Sequence, residues 1–246
     1  MQLASYAQGE WYKAKTNLKP FYDAATGESI GEIGSEGLDF QAMLDYARNV
    51  GGANLRKLTF HERAMLLKNL ALYLMDRKED FNQVSYATGA TKRDSWIDIE
   101  GGIGTLFTFS GKARRELPNE PFFTEGNQEI ISKNNTFTGQ HICVPLEGVA
   151  IHINAFNFPC WGMLEKLAPT IIDGMPAIIK PASSTAFLAA KMVEAIIESK
   201  ILPEGSLQLI CGRTGDLLDR VTGQDVVTFT VSADTGLMLK KTDAIM

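Results

Sequence analysis

The sequence predicts an α/β protein in which helices cover a parallel sheet. After Pro145, four short apolar runs alternate with segments of helical periodicity, and turn residues separate the two kinds of segment. Strands that alternate with helices join by right-handed crossovers, which makes the sheet parallel. The length of 246 residues, 45% hydrophobic and 22% charged, is sufficient for a sizeable core.

The first part of the chain predicts an extended arm followed by helices. Turn residues such as Pro20 and Gly27 divide residues 1–36 into short extended pieces. From Leu38 to about Arg115 the apolar spacing is helical. We therefore expect residues 1–115 to form an arm and a helical segment.

Two local signals refine this helical segment. Thr59 and Glu62 are spaced as a capping box directly before an apolar run, which predicts a helix start. A later helix, from about Lys92, contains Gly101 and Gly102. Glycine destabilises a helix interior, so this pair predicts a close contact with another helix.

Residues 116–142 predict a β-hairpin. Proline residues open a loop, and two strand-like runs at 128–132 and 136–143 flank the turn residues 133–135. Residues 143–246 then form the parallel-sheet part. Its predicted strands are 148–154, 176–181, 207–211 and 226–230, and its predicted helices lie near 160–173, 184–199 and 215–221 and from about Asp234.

The carboxyl ends of these strands predict a ligand site. Ligands of open α/β sheets bind outside the carboxyl ends of the strands, at one edge. Four segments with polar or glycine residues converge there: Asn154–Asn157, Lys180–Ser184, Gly212–Gly215 and Thr230–Ser232. We base the site on this convergence rather than on any single motif.

Composition excludes several other classes of function. The net charge of −5 and pI near 5.3 argue against a nucleic-acid partner. No apolar run approaches the roughly 18 residues of a membrane span, and the N-terminus lacks a secretory apolar stretch. The three cysteines have neither disulfide nor metal spacing, which is typical of a reducing cytosol, so a cytoplasmic protein is expected. The three scattered histidines predict no metal site.

Each polar candidate has a functional and a structural interpretation. The Asn157 amide could donate to developing negative charge on a carbonyl oxygen, or Asn157 could simply close a turn. Lys180 could bind a ribose hydroxyl or a phosphate, or extend to solvent. Ser183, Ser184 or Thr185 could cap the following helix, or leave its N-terminus open to an anion.

Other motifs carry less information. The chain has no GxGxxG fingerprint and no Walker A loop, and Gly212 with Gly215 is a weak phosphate signal. Cys160 lies at a predicted helix start, where a thiolate would be favoured. Without a neighbouring histidine or carboxylate in sequence, we interpret Cys160 as a small buried residue.

The motifs taken together resemble the aldehyde dehydrogenase superfamily over nearly the whole chain. The resemblance rests on an ordered series of motifs: Pro145-x-x-Gly148, Asn157-Phe-Pro159, Lys180-Pro-Ala-Ser183, Leu202-Pro-Glu-Gly205 and Phe229-Thr-Val-Ser232. Within the superfamily, the sequence is similar to the dehydrogenase domain of the bifunctional ring-cleavage protein of bacterial phenylacetate degradation. The implied fold is a Rossmann-like coenzyme-binding part of an incomplete aldehyde dehydrogenase fold.

The resemblance implies roles for individual residues. Asn157 matches the asparagine that stabilises the oxyanion, and Lys180 matches the lysine that contacts the adenosine ribose. Ser183 stands where NAD-preferring members often carry glutamate, which would repel a 2′-phosphate, so NADP is the expected cofactor, with NAD possible. The other implied cofactor-binding residues are Ile153, Asn154, Ala155, Phe156, Ala182, Gly212, Gly215, Phe229, Thr230 and Ser232.

The resemblance also implies partners and shows two departures. It implies a small-molecule aldehyde substrate and a homo-oligomer joined through the hairpin, whose edge would otherwise favour aggregation. Val231 replaces a family glycine that lets the backbone approach the cofactor. The chain also ends before the family's nucleophilic cysteine and general-base glutamate, so we expect the catalytic domain to be absent and this chain alone to be inactive.

The sequence therefore leaves three functions open. The leading hypothesis is the coenzyme-binding part of an NADP-dependent aldehyde dehydrogenase that converts an aldehyde or semialdehyde to an acid. One alternative is a non-catalytic nucleotide-binding or interaction module, which Val231 favours. The other is an acyl-CoA reductase of the same superfamily.

Overall fold

The computed structural model describes residues 1–230 and 232–245, which form strands β1 to β10 and α-helices α1 to α8. The strands are β1 Ser5–Ala7, β2 Glu10–Tyr12, β3 Lys19–Tyr22, β4 Ser29–Ile33, β5 Phe123–Ile130, β6 Thr138–Cys143, β7 Ala150–Ile153, β8 Ala177–Lys180, β9 Leu207–Leu209 and β10 Val226–Phe229. The helices are α1 Phe40–Tyr46, α2 Ala53–Arg56, α3 Phe60–Asp76, α4 Lys78–Ser85, α5 Lys92–Glu116, α6 Pro159–Ile172, α7 Ala186–Ser199 and α8 Ala233–Leu239. A π-helical turn, Ala47–Gly52, joins α1 to α2.

The predicted parallel sheet is confirmed. Six strands pair in the order β10-β7-β8-β9-β1-β2, and the first four are mutually parallel. Every residue of β7 is buried, as expected for a strand that is covered on both faces. The register aligns Phe229 with Ile153 and Ile153 with Lys180, so these three strands end level with one another.

The N-terminal arm joins this sheet, which the sequence did not predict. β1 pairs antiparallel with β9, and β2 pairs antiparallel with β1. Side chains fix the junction: the Cys211 amide donates to Ser5 Oγ at 2.9 Å, and the Gln8 amide donates to Gln208 Oε1 at 2.9 Å. Strands of three residues are too short to show alternation, so the sequence indicated only extended pieces here.

Helices cover the two faces of the sheet unequally. On one face, α3, α5, α6 and α7 form the larger apolar core, which includes Leu67, Ile103, Leu164 and Val193. A smaller cluster on the other face joins α1 to the side chains of alternate β7 residues, among them Ile151. Burial of this apolar surface is the main favourable term in folding.

The predicted helix signals have direct structural counterparts. Thr59 and Glu62 form the expected capping box at the start of α3. Gly101 and Gly102 do permit a close helix contact, because a Cβ on Gly102 would lie 2.8 Å from the Cα of Trp161 in α6. A second capping box, Thr91 with Asp94 at the start of α5, was not predicted.

The predicted hairpin is also present. β5 pairs antiparallel with β6, and the register shifts between Glu125 and Glu129. The first strand begins at Phe123, earlier than the sequence indicated. Both strands are largely exposed, in contrast to the strands of the main sheet.

Two predictions for the segments between the parallel strands need correction, and a third concerns a residue outside the described ones. The helix expected near 215–221 is a 3₁₀ turn, Leu217–Arg220. α7 starts at Ala186 without a side-chain cap: Thr185 is its N-cap residue, but its hydroxyl donates to the Phe156 carbonyl at 3.0 Å and so links two loops instead. Val231 lies outside the described residues.

Candidate functional site

Backbone hydrogen bonds bring the strand ends together at the carboxyl edge of the sheet. The Thr230 amide donates to the Ile153 carbonyl at 3.1 Å, and the Asn154 amide donates to the Lys180 carbonyl at 3.0 Å. The segments that follow β10, β7 and β8 therefore begin side by side. Residues contributed by different parts of the chain can act there on one ligand.

Asn157 occupies a constrained turn between β7 and α6. The next residue, Phe158, has left-handed backbone angles (φ 54°, ψ 55°), and Pro159 is the first residue of α6. A left-handed non-glycine residue costs roughly 1–2 kcal/mol, so the surrounding contacts must hold this turn. Asn157 itself is exposed and lines an open cavity of about 390 Å³.

The Asn157 cavity is built by the start of α6, the segment after β7, and one residue each from α5 and the end of β10. Its lining residues are Ile97, Ala155, Asn157, Phe158, Trp161, Gly162, Glu165, Lys166 and Thr230. The polar groups of Asn157, Glu165, Lys166 and Thr230 share this space with two aromatic rings. A cavity of this kind can hold a small polar molecule against an apolar wall.

Lys166 and Glu165 were not among the residues that the sequence singled out. Lys166 Nζ donates to the Gly162 carbonyl at 3.0 Å, and Trp161 Nε1 donates to Glu165 Oε2 at 3.0 Å. Burial lowers the pKa of Lys166, and the charge of Glu165 opposes this shift. The sequence did contain a signal for these two residues. They are adjacent charges in an otherwise apolar helix, and they lie four residues after Trp161 and Gly162, which places them on the same helix face.

Asp98 of α5 is a further residue that the sequence did not reveal. Its carboxylate, 4% exposed, accepts from the backbone N–H of Cys160 at 3.1 Å and of Trp161 at 2.7 Å. Burial raises the pKa of Asp98 to about 6, and the hydrogen bonds from Trp161 and Cys160 oppose the rise. Asp98 is 62 residues from Cys160 in sequence, so no local pattern could indicate the contact.

Lys180 ends β8 and is half-buried rather than extended into solvent. Burial lowers the pKa of its ammonium group, and the Cys211 thiol beside it opposes the shift. In the part of the chain that the structure describes, Lys180 forms no ion pair. A partly desolvated cation of this kind can bind an electron-rich ligand group.

The residues next to Lys180 also leave hydrogen-bonding capacity unused. Asn154 is 2% exposed, yet neither the oxygen nor the nitrogen of its side chain has a hydrogen-bond partner among the described residues. A buried amide without partners is costly, which favours a ligand or water beside it. Ser183 and Ser184 are exposed, and Ala182 is half-buried, in the segment that leads to α7.

Gly212 and Gly215 have a structural explanation. A Cβ on Gly212 would lie 2.6 Å from the Ser35 amide nitrogen, and a Cβ on Gly215 would lie 2.5 Å from the Phe40 ring. Both positions therefore need glycine to pack against the N-terminal part of the chain. This packing is enough to account for glycine, whether or not a cofactor also approaches.

The remaining candidates divide between core and surface. Ile153 is buried and Phe229 is half-buried in the smaller core cluster, whereas Phe156 is 64% exposed. Thr230 lines the Asn157 cavity. Ser232 caps α8 by accepting from the Thr235 amide.

The three cysteines differ in their surroundings, and Cys211 lies beside Lys180. Cys160 is fully buried, as interpreted from the sequence, and burial raises the pKa of its thiol. Cys211 is also buried, and Cys143 is exposed on the hairpin. Within residues 1–230 and 232–245, no cluster of His, Cys, Asp and Glu is arranged to hold a metal ion.

Over the same residues, no helix combines the length and apolar character needed to cross a membrane.

The arrangement is that of an α/β protein with a candidate ligand site at the carboxyl edge of its parallel sheet. Comparison with known proteins identifies the family. The sequence profile of the Aldehyde dehydrogenase family matches residues 11–245. The chain therefore belongs to the aldehyde dehydrogenase family, which confirms the resemblance seen in the motifs.

Individual relatives agree with this assignment. The chain is 40% identical to a 3,4-dehydroadipyl-CoA semialdehyde dehydrogenase of Aromatoleum evansii, over 98% of this chain and 47% of that protein. An NADP-dependent glyceraldehyde-3-phosphate dehydrogenase from Bacillus halodurans, solved with NADP, superposes with a TM-score of 0.80 at 25% identity, over 98% of this chain and 51% of the other. A betaine aldehyde dehydrogenase from Staphylococcus aureus, solved with NAD+, shares the fold (TM-score 0.79, 22% identity, 98% and 47% covered). The chain spans about half the length of the curated relatives it matches.

Proposed function

We propose that this chain is the coenzyme-binding part of an NADP-dependent aldehyde dehydrogenase that oxidises a semialdehyde to an acid. The observation that carries the proposal is the placement of Asn157 in an open cavity beside the strand end that bears Lys180. The semialdehyde is inferred from the 40% identical relative, whose name specifies a semialdehyde substrate. We extend the proposal to a role in bacterial degradation of phenylacetate or a related aromatic compound.

The residues at the sheet edge fit a nicotinamide dinucleotide. Among the described residues, Lys180 offers a half-buried cation without an ion pair, and Asn154 offers a buried amide without hydrogen-bond partners. Ser183 places a hydroxyl rather than a carboxylate near the start of α7, where a ribose 2′-phosphate would meet no repulsion. When bound, NADP supplies the acceptor for the hydride that leaves the substrate.

The wider proposed contact set follows the family resemblance. Lys180 and Ser183 would hold the adenosine ribose and its phosphate. The other proposed contacts come from the ends of the parallel strands and the loops after them: Ile153, Asn154, Ala155, Phe156, Ala182, Gly212, Gly215, Phe229, Thr230 and Ser232.

In the proposed reaction, Asn157 stabilises charge on the substrate. Its side-chain amide donates to the carbonyl oxygen as that oxygen gains negative charge, an effect worth about 10²–10³-fold in rate for one donor. Phe158 and Trp161 form an apolar wall of the cavity against which the substrate would lie. None of the three cysteines lines this cavity, so the attacking thiolate is proposed to come from the part of the relatives that this chain does not span.

The proposal includes an organisation of the chain. Residues 1–115 and 143–246 together form the coenzyme-binding part, and residues 116–142 form a bridging hairpin through which copies associate. The exposed apolar side chains of the hairpin support association. The cytoplasmic location expected from the sequence stays a prediction.

Calorimetric titration with NADP and with NAD tests the cofactor assignment. We expect saturable binding that is tighter for NADP, because a hydroxyl at Ser183 accepts a 2′-phosphate. Lys180→Ala should weaken NADP binding by about tenfold or more, since a hydrogen bond to a charged group contributes about 1.5–3 kcal/mol. Ser183→Glu should reverse the preference towards NAD. The matched control is Lys191→Ala, which removes an exposed lysine of α7 paired with Glu194.

Two results would contradict the proposal. Equal or tighter binding of NAD would remove the NADP preference. No binding heat from a chain that circular dichroism shows to be folded would instead favour a non-catalytic module. That alternative is supported by the presence of Val231 where the family usually carries glycine.

A further inference from the structure

One face of α5 holds the first turn of α6. Asp98, Gly101 and Gly102 are spaced i, i+3 and i+4, so they share this face. The Asp98 carboxylate accepts from the Cys160 and Trp161 amides, which are among the donors that a helix start leaves without intrahelical partners. The cap of α6 thus comes from another helix.

The residue at the start of α6 cannot supply this cap itself. Phe158 is the N-cap residue of α6 and makes no side-chain cap hydrogen bond. A carboxylate at a helix N-terminus is favoured by both hydrogen bonding and the helix dipole. Asp98 therefore replaces the missing local cap, and it does so from a position that is almost fully buried.

Gly101 and Gly102 allow α5 and α6 to approach closely at this contact. A Cβ on Gly101 would lie 2.3 Å from the Trp161 ring, and a Cβ on Gly102 would lie 2.8 Å from the Trp161 backbone. The first turn of α6 therefore rests directly on the backbone of α5. Asn157 lies two residues before Pro159, and the left-handed Phe158 is the only residue between them.

We propose that Asp98 is a positioning residue that fixes the orientation of Asn157 by holding the Cys160 and Trp161 amides. This role rests on the proposed function, because the orientation of Asn157 matters for the reaction only if Asn157 acts on the substrate oxygen. A displacement of about 1 Å at such a group can cost about 10²-fold in rate. Asp98 touches no reacting atom and acts only through the first turn of α6.

Other ionisable groups lie on the elements that pack against α5 and α6. On α6, the Cys160 thiol is buried with a raised pKa, and Glu165 and Lys166 line the cavity further along. Lys78 of α4 is paired with Glu100, and Arg63 of α3 donates to the Leu55 and Leu58 carbonyls. On β7, burial lowers the pKa of His152 to about 3, and the charge of Lys166 adds to this shift.

The test is a nuclear magnetic resonance titration of the whole chain between pH 4.5 and 8. The Asp98 carboxyl carbon and the Asn157 side-chain amide are followed together, and the amide signal is identified by its loss in Asn157→Ala. We expect both signals to move with one midpoint near pH 6, because protonated Asp98 is a weaker acceptor. Asp98→Asn should shift the Asn157 signal and abolish its step.

The matched control is Asp94→Asn, on the same helix. Asp94 belongs to the capping box of α5 itself, so this variant lowers stability without touching α6. It should keep the Asn157 step. An effect of Asp94→Asn equal to that of Asp98→Asn would show a general loss of stability and overturn the proposal.

The wild-type titration decides the question even if Asp98→Asn does not fold. An Asn157 signal that stays constant while the Asp98 carbon titrates would overturn the proposal. The experiment uses neither cofactor nor aldehyde, so its result is independent of the NADP titration. Failure of NADP binding with intact coupling between Asp98 and Asn157 would count against the proposed function alone.

Discussion

The parallel strands and the hairpin are both β-structure, yet their apolar side chains have opposite environments. Ile151 in β7 and Ile178 in β8 are 0% exposed. Ile130 at the end of β5 and Ile142 in β6 are 60% and 58% exposed. The difference in exposure comes from the helices, which cover the parallel sheet and leave the hairpin exposed.

This comparison separates two uses of apolar residues. In the main sheet they stabilise the fold, because both faces are removed from water. In the hairpin they remain in contact with water and contribute little to folding of the chain itself. We therefore expect the exposed apolar side chains of the hairpin to form a surface for another chain.

The largest expected loss of stability is at Asp225, which links the start of β10 to the start of β7 through a hydrogen bond from the Val149 amide. Its buried side chain pairs with Arg48 and accepts from the Val149 amide at 2.9 Å. Asp225→Ala removes the buried carboxylate and leaves Arg48 only its longer contact with Asp45 at 3.6 Å, so it should lower the free energy of unfolding by about 3–5 kcal/mol. Chemical denaturation measures this loss. Glu125→Ala in the hairpin is the control, with an expected change within about 0.5 kcal/mol.

The Asp225 contribution should depend on pH. Burial raises the pKa of Asp225, but the hydrogen bonds from Arg48, Thr222 and Val149 outweigh it and hold the pKa below the ordinary value. The stabilisation is therefore present above the unfolded pKa of about 3.9 and is lost as pH falls through the folded value. A difference between wild type and Asp225→Ala that stays constant below pH 4 would contradict this account.

The next effect compares equivalent truncations in the two regions. Ile151→Ala creates a cavity in a core that cannot fully collapse, and it should cost about 2–5 kcal/mol in urea denaturation. Ile142→Ala in β6 should change the unfolding free energy by no more than about 0.5 kcal/mol. Similar losses at the two positions would mean that the hairpin is covered in solution.

The smallest effect on stability, and the one that tests association, is at the tip of the hairpin. Ile131 and Phe137 are 61% and 62% exposed. Replacing both with serine should reduce self-association in sedimentation velocity while the unfolding free energy stays within about 0.5 kcal/mol. Leu72→Ser on α3 removes a comparably exposed apolar side chain and should leave association unchanged. Unaltered sedimentation of the hairpin variant would exclude this surface.

The sequence was informative wherever one segment contains the whole signal. The α3 capping box needs only Thr59 and Glu62, and both of its hydrogen bonds form. The glycine pair in α5 correctly indicated a close helix contact, although the sequence did not identify Trp161 as the partner. The order of parallel strands and helices followed from alternation alone.

Sequence reasoning was weaker where the partner is distant. Of the two alternatives for the start of α7, a side-chain cap does not form, because Thr185 donates to the Phe156 carbonyl instead. The cap of α6 is present, but it comes from Asp98, which lies in another helix. Local patterns report local hydrogen bonds, so a cap supplied across the fold has no signature near the helix it serves.

The sequence by itself determined the class of fold, the order of the parallel strands and the helices between them, and the family, because periodicity and short ordered motifs are properties of contiguous residues. Only the tertiary structure decided that β1 extends the sheet, that Lys166 shares a cavity with Asn157, and that Asp98 holds the turn beside it. These features depend on residues that come together only when the core packs. Packing brings distant groups within hydrogen-bond distance and removes the water that would otherwise satisfy them.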